Sequence, residues 1–146
     1  SFCCAITINS MFLPISFELI WNIPFNGLSV VLNASTQELM ESPASCDLAR
    51  SLMEEVRRGA DACGVTISEQ VIQTTLDVTR DMVPYDSSMR ADFIKQRPME
   101  IEAILGTPIR HARDHGCEMP RVEMLYRELL FLNSKAEYLP GRGSGD

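Results

Sequence analysis

The chain of 146 residues carries a formal net charge of -7, a pI near 4.8 and 45% hydrophobic residues. Such a length and composition allow one globular domain, or a piece of one, with a sizeable core. The acidic balance excludes a surface that tracks phosphates, because nucleic-acid binders gather Lys and Arg on one face, so no nucleic acid partner is expected.

Residues 1–16 are apolar without a clean period of 2 or 3.6, and a single strand over residues 5–8 is the most they suggest. The stretch from Glu18 to Asn33 is the organising one. At 100° per residue, Glu18, Asn22, Asn26, Ser29 and Asn33 fall within about 80° of a helix, while Trp21, Ile23, Phe25, Leu28, Val30 and Val31 cover nearly everything else. A rod that oily is expected to be buried, and its polar seam needs something polar to face. Two partners satisfy that need: neighbouring helices, with the amides fixing the packing, or a small polar ligand in a cleft. Pro24 and Gly27 predict a kink beside the seam.

The run over residues 11–32 is long enough to span a bilayer, yet it holds Glu18, two Asn and two Pro and has no flanking positive charge. No membrane association is expected, and no secretory signal, since no basic residue precedes the run.

Residues 34–41 predict a short turn of helix. Ser42-Pro43 then marks a firm helix start, and Leu48, Leu52, Val56, Ala60 and Cys63 recur on one face before Gly64 stops it. Ser68 caps a third pattern through Val71, Thr75, Val78 and Met82, closed by Pro84. Ser87 or Ser88 caps a short helix ending near residues 95–97. Pro98 opens the next, with Glu100 in its first turn, a bend expected at Pro108, and Gly116 as its end. Pro120 starts a last helix through Val122, Leu125, Tyr126, Leu129 and Leu132, and residues 137–146 read as a disordered tail. The fold class is therefore all-α, a helical bundle of five or six helices over residues 17–136.

Five cysteines, Cys3, Cys4, Cys46, Cys63 and Cys117, include no C-x-x-C pair, and an odd number cannot all pair within one chain. A reducing, cytoplasmic setting is the simpler expectation. His111 and His115 fall at i and i+4, but spacing suggests no third ligand, so solvated histidines and no metal are expected. The sequence holds no G-x-G-x-x-G, no Walker loop and no G-x-S-x-G.

Four segments in order carry a more specific signal: Trp21-Asn-Ile-Pro-Phe-Asn-Gly-Leu-Ser-Val, then Tyr85-Asp-Ser-Ser-Met, then Glu100-Ile-Glu-Ala-Ile-Leu-Gly106, then His115-Gly with Pro120 and Leu125-Tyr126. Over residues 17–133 the chain resembles the C-terminal domain of ketopantoate reductase (2-dehydropantoate 2-reductase). The resemblance implies an oxidoreductase of pantothenate and coenzyme A biosynthesis that moves hydride from NADPH to the 2-keto acid ketopantoate. It implies a Rossmann domain, absent from this chain, that holds most of the cofactor. By motif, Asn22 and Asn26 resemble substrate-cleft amides, Ser88 a donor to the substrate carboxylate, and Glu100 the catalytic carboxylate near substrate and cofactor ribose. Glu18 stands where the family has its general-acid lysine, either as a replacement or because Phe17-Glu18 matches the family's Trp-Glu with the lysine deleted. A truncated chain, inactive by itself, is the expectation. The alternative is a noncatalytic helical interaction or dimerisation module derived from the same family. An apolar surface near residues 11–17 would favour a homodimer in either case.

Overall fold

The apolar run that begins at Phe17 becomes the central rod of a helical bundle. The computed structural model describes residues 17–138. Helix α1 (residues 17–31) consists of an α-helical turn Phe17–Trp21, a π-helical segment Asn22–Asn26 and a second α-helical segment Gly27–Val31. Around it lie α2 (Thr36–Glu41), α3 (Pro43–Ala62), α4 (Glu69–Asp81), α5 (Ser88–Ile94), α6 (residues 102–114) and α7 (Pro120–Tyr138). All six touch α1. The bundle is all-α as expected, with no strand among the described residues. The short pattern at 36–41 proves a full helix, which brings the total to seven among the described residues.

Burial of α1 follows from its composition. Ile20, Ile23 and Phe25 have no exposed surface, and Leu28 and Val30 are 3% exposed. They pack into one core with Leu52 and Val56 of α3, Leu76 of α4 and Leu129 of α7. Gly27 lets α7 come close: a Cβ there would lie 2.4 Å from Leu125 Cδ2 and 2.9 Å from its Cγ.

Both interior prolines are accommodated by π turns rather than by a simple bend. Proline lacks an N–H and its ring presses on the carbonyl four residues back, which a π turn relieves by inserting one residue into the ladder. Pro24 lies inside Asn22–Asn26, and the N–H of Gly27 reaches the carbonyls of Ile23 and Pro24. Pro108 follows the second π segment, Glu102–Gly106, at the start of the α-helical part of α6, Thr107–Asp114.

Local capping explains the other boundaries. Ser35 and Glu38 form a reciprocal capping box on α2, with Ser35 N–H to Glu38 Oε2 at 2.8 Å. Pro43 sits at the first position of α3 as read from the sequence, and Gly64 (φ 85°) and Gly116 (φ 81°) close α3 and α6. Ser87, not Ser88, caps α5, accepting from Arg90 N–H at 3.1 Å.

Two boundaries differ from the sequence reading. Pro98 does not open α6: residues 97–100 are irregular, and Glu100 precedes the helix instead of lying in its first turn, its carbonyl accepting from Ile104 N–H at 3.2 Å. Helix α7 runs through Tyr138, past the boundary expected at residue 136. The strand over residues 5–8, the apolar surface at 11–16 and the tail beyond 138 lie outside the described residues.

Candidate functional site

The polar side chains of α1 meet those at the start of α5. Asn26 is 2% exposed, and its Oδ1 accepts from Met89 N–H at 3.3 Å and from the Ser88 hydroxyl at 3.5 Å. A backbone N–H only donates, so it fixes the amide with oxygen toward α5 and the Nδ2 amino group turned away. That amino group has no partner among the described residues. One helical turn further along, Ser29 shares a 2.6 Å hydrogen bond with the Ser87 hydroxyl, both fully buried, and donates to Asn26 O at 3.0 Å. The seam on α1 thus faces the Ser87-Ser88-Met89 segment.

Aromatic packing holds this junction in place. Trp21 stacks on Phe25 with centroids 5.3 Å apart and lies 6.3 Å from Tyr85, while its Nε1 donates to Thr79 Oγ1 at 3.1 Å. The chain segment carrying Tyr85 is tied back by Thr36, whose N–H and hydroxyl both donate to Tyr85 O, at 3.3 and 3.2 Å.

The structure joins two of the five residues singled out from the sequence, Asn26 and Ser88. Asn22 is half-buried on the π segment, and Glu18 is exposed on the first turn of α1. Glu100 is exposed ahead of α6, whose π segment touches that of α1. The side chains of Glu18, Asn22 and Glu100 make no hydrogen bond among the described residues. Asn33 lies beyond the end of α1 at Val31 and adopts φ 51° in the following turn, from which its Oδ1 still accepts from Arg90 Nη2 of α5 at 3.3 Å. Ser29 and Ser87, by contrast, belong to the junction; Ser29 was visible in the seam, but its partner lies 58 positions away and no periodicity points to it.

Beside Glu100 a second polar cluster links α6 to α7. Glu102 accepts from the Tyr126 hydroxyl through Oε1 and pairs through Oε2 with Arg110 Nη1 at 3.0 Å. The Tyr126 hydrogen bond, then that of Arg110, hold the Glu102 carboxyl below the ordinary glutamate range, and the same bond pushes the Tyr126 phenol up. A carboxyl lowered by folding contributes stability above its ordinary pKa, and that contribution is lost as pH falls through the lowered value. Glu102 is more than half exposed, so water screens most of it. An NMR titration of the Glu102 side-chain carbon is expected to show a midpoint below that of an ordinary glutamate, rising toward it in Tyr126→Phe. An unchanged midpoint in that variant would remove the phenol as the main cause.

Residues 14–133 match the family described as "Ketopantoate reductase PanE/ApbA C terminal". The chain is 47% identical over 118 residues to the 2-dehydropantoate 2-reductase of Nostoc sp., covering 81% of this chain and 37% of that protein. Its fold is similar to the crystal structure of 2-dehydropantoate 2-reductase from Methylococcus capsulatus, with TM-score 0.79 and 30% identity over 85% of this chain and 40% of the other. It is also similar to a dimeric ketopantoate reductase from Staphylococcus aureus, with TM-score 0.78 and 26% identity over 88% of this chain and 45% of that one. The chain therefore spans less than half the length of each of these relatives. Among the described residues no helix is long and apolar enough to cross a membrane. The family match over most of the chain and the shared helical fold lead to one conclusion: the protein belongs to the ketopantoate reductase family and corresponds to its C-terminal domain.

Proposed function

We propose that this chain is the substrate-binding half of an NADPH-dependent 2-dehydropantoate 2-reductase, which reduces ketopantoate to pantoate in a cytoplasmic route to coenzyme A. The observation that carries this reading is the Asn26 amide. Its acceptor is fixed by α5 while its amino group makes no hydrogen bond within the described residues and keeps access to solvent, so its donors are free to meet a ligand. A substrate hydroxyl or carboxylate can accept from them. Ser88, exposed at the start of α5, becomes a second donor when its hydroxyl turns from Asn26 Oδ1 to the substrate, and Asn22 of α1 is a third.

The nucleotide is held mainly by a domain outside this sequence, because the chain lacks the glycine-rich turn that receives a pyrophosphate. NADPH, when bound there, supplies the hydride. Reduction places negative charge on the substrate's carbonyl oxygen, which a positioned acid must offset and protonate. Glu100 is the carboxylate assigned to the substrate and the cofactor ribose. Glu18, an exposed acidic residue where the family's lysine would neutralise the developing charge, supplies no positive charge there, so the chain is inactive as it stands.

Fusion to the nucleotide-binding half of the Nostoc relative is expected to give calorimetric binding of ketopantoate, weakened about 10- to 100-fold by Asn26→Ala, as fits the loss of one or two buried hydrogen bonds. Restoring lysine with Glu18→Lys should add ketopantoate-dependent NADPH oxidation. No binding by the fusion, or binding indifferent to Asn26→Ala, defeats the proposal. Glu18 itself favours a second reading, a noncatalytic interaction module, whose partner would be a second copy of the chain seated on the exposed Met124 and Phe131 of α7. In that case sedimentation shows a dimer dissociated by Met124→Lys, while ketopantoate binding is absent.

A further inference from the structure

We propose that the C-terminal ends of α3 and α6 form a zinc-binding site in which Cys63, His111 and His115 are the protein ligands. The Cys63 thiol and one ring nitrogen of each histidine all lie within 4.8 Å of one another. The two imidazole centroids are 4.6 Å apart with their planes at 43°. The spacing of the histidines alone supplies only two ligands; the third arrives from a helix far away in sequence.

The helices are built to bring these groups together. Gly59 of α3 packs against α6, where an added Cβ would lie 3.4 Å from Ala112 Cβ and 2.6 Å from Met119 Sδ. One turn after Gly59 the helix ends at Cys63, and three residues after Ala112 the other ends at His115. Each is closed the same way, by a glycine of positive φ and a return hydrogen bond: Val65 N–H to Ala60 O and Cys117 N–H to Ala112 O, both 2.9 Å. Two helix ends thus point at one place, and each presents carbonyl oxygens and a partial negative charge that favour a cation.

His115 is oriented by the backbone. His115 Nδ1 lies 2.9 Å from the carbonyl oxygen of His111. A carbonyl only accepts, so Nδ1 carries the proton and the lone pair is on Nε2, the arrangement by which a backbone carbonyl orients a metal-binding imidazole. One thiolate and two imidazoles form a set suited to zinc and other borderline-soft ions, whereas calcium and magnesium take oxygen ligands. Tetrahedral zinc with bonds of about 2.0–2.3 Å holds its donors roughly 3.5 Å apart, a closure within reach of side-chain rotation because His115 is exposed and the other two are half-buried. The ion would clamp α3 to α6 at their ends.

Burial first, and then the nearby Cys117, push the Cys63 thiol up, so zinc must displace its proton; because Cys117 is close, the test is run under a non-chelating reductant that keeps the two sulfurs unlinked. The full chain, stripped with a chelator, is titrated with zinc against a chromophoric chelator and with cobalt as an optical probe. One zinc per chain is expected, with a tetrahedral cobalt spectrum containing a thiolate charge-transfer band. Cys63→Ser should abolish that band, and Cys63→Ser and His111→Gln should each weaken zinc about 100-fold, while Cys46→Ser changes nothing. Far-UV circular dichroism of the metal-free variants verifies that they are folded. Absence of stoichiometric binding, or binding by folded Cys63→Ser and His111→Gln at the original affinity, overturns the proposal.

Discussion

Glu55→Ala is expected to lower the unfolding free energy by about 3 kcal/mol, the largest effect of any charged residue in the bundle. Glu55 projects from α3 with no exposed surface, and its Oε1 accepts from Val122 N–H, in the first turn of α7, at 2.8 Å. That turn has no cap of its own. The residue before Pro120 is Met119, 1% exposed and without a side-chain acceptor for the free N–H groups. Pro120 disposes of one orphan donor by having no N–H, and the Glu55 carboxylate satisfies another from across the fold. The other oxygen faces Arg121 at 3.5 Å and Arg58 at 3.7 Å, both more than half exposed. Those guanidiniums stay hydrated when the carboxylate is removed, so the cost lies in the lost charged hydrogen bond, roughly 1.5–3 kcal/mol, and in the vacated space. Glu55→Gln keeps an acceptor for Val122 and forfeits only the charge at the positive helix end, about 1 kcal/mol. Urea unfolding of the three proteins checks the order; equal losses in Gln and Ala would assign the effect to the charge instead of the cap.

Phe25→Ala is expected to cost about 3–5 kcal/mol, most of the stability of a domain at the lower end of the ordinary range of about 5–15 kcal/mol. Phe25 is fully buried in the π segment of α1 and stacks on Trp21. Its removal opens a cavity at the point where α1 meets most of its neighbours, and the rod cannot collapse onto the gap because Pro24 restricts the backbone beside it. Phe25→Leu fills most of the volume and should lose less than half as much. Thermal unfolding by circular dichroism reads both, with a fall in Tm of roughly 10–15 °C expected for the alanine variant if it folds at all. A change below about 1 kcal/mol would mean that the core around the π segment is loosely packed. Under the proposed function the same variant should also disturb ketopantoate binding, since Phe25 immediately precedes Asn26.

How much of this was legible beforehand depends on the range of the interaction. Helices α3, α4 and α5 could be read almost to the residue, because their start signals are local: Pro43 at a first helical position, Ser68 in the extended conformation ahead of α4 though without a side-chain capping bond, and Ser87 accepting from Arg90 N–H three residues on. The buried rod was legible from the sheer breadth of its apolar face, as was its need for polar company. What supplied that company was not: the Asn26 to Met89 bond spans 63 positions, and only the family resemblance drew the two segments together. Nothing local marks Glu55 for burial, since its partner is a backbone N–H on α7 that no side-chain pattern reveals. The helix over 98–116 was placed too early because Pro98 satisfies the local rule for a first position, whereas the chain turns once more before α6 begins. Cys63 was counted as the last member of an apolar stripe, and spacing had no means of setting it beside His111 and His115.

A π turn holds one residue more than an α turn, and each residue of an α-helix advances it by about 100°. The central rod is accordingly a screw whose thread slips once, between Trp21 and Gly27. Ahead of the slip and behind it, side chains are clocked separately. Asn26 and Ser29 are indexed against Ser87 and Met89 by their own contacts, independent of how many residues wind onto the rod before Trp21. An offset at Phe17-Glu18 relative to a relative's lysine therefore rotates only the leading threads, and the hydrophilic junction downstream keeps its alignment.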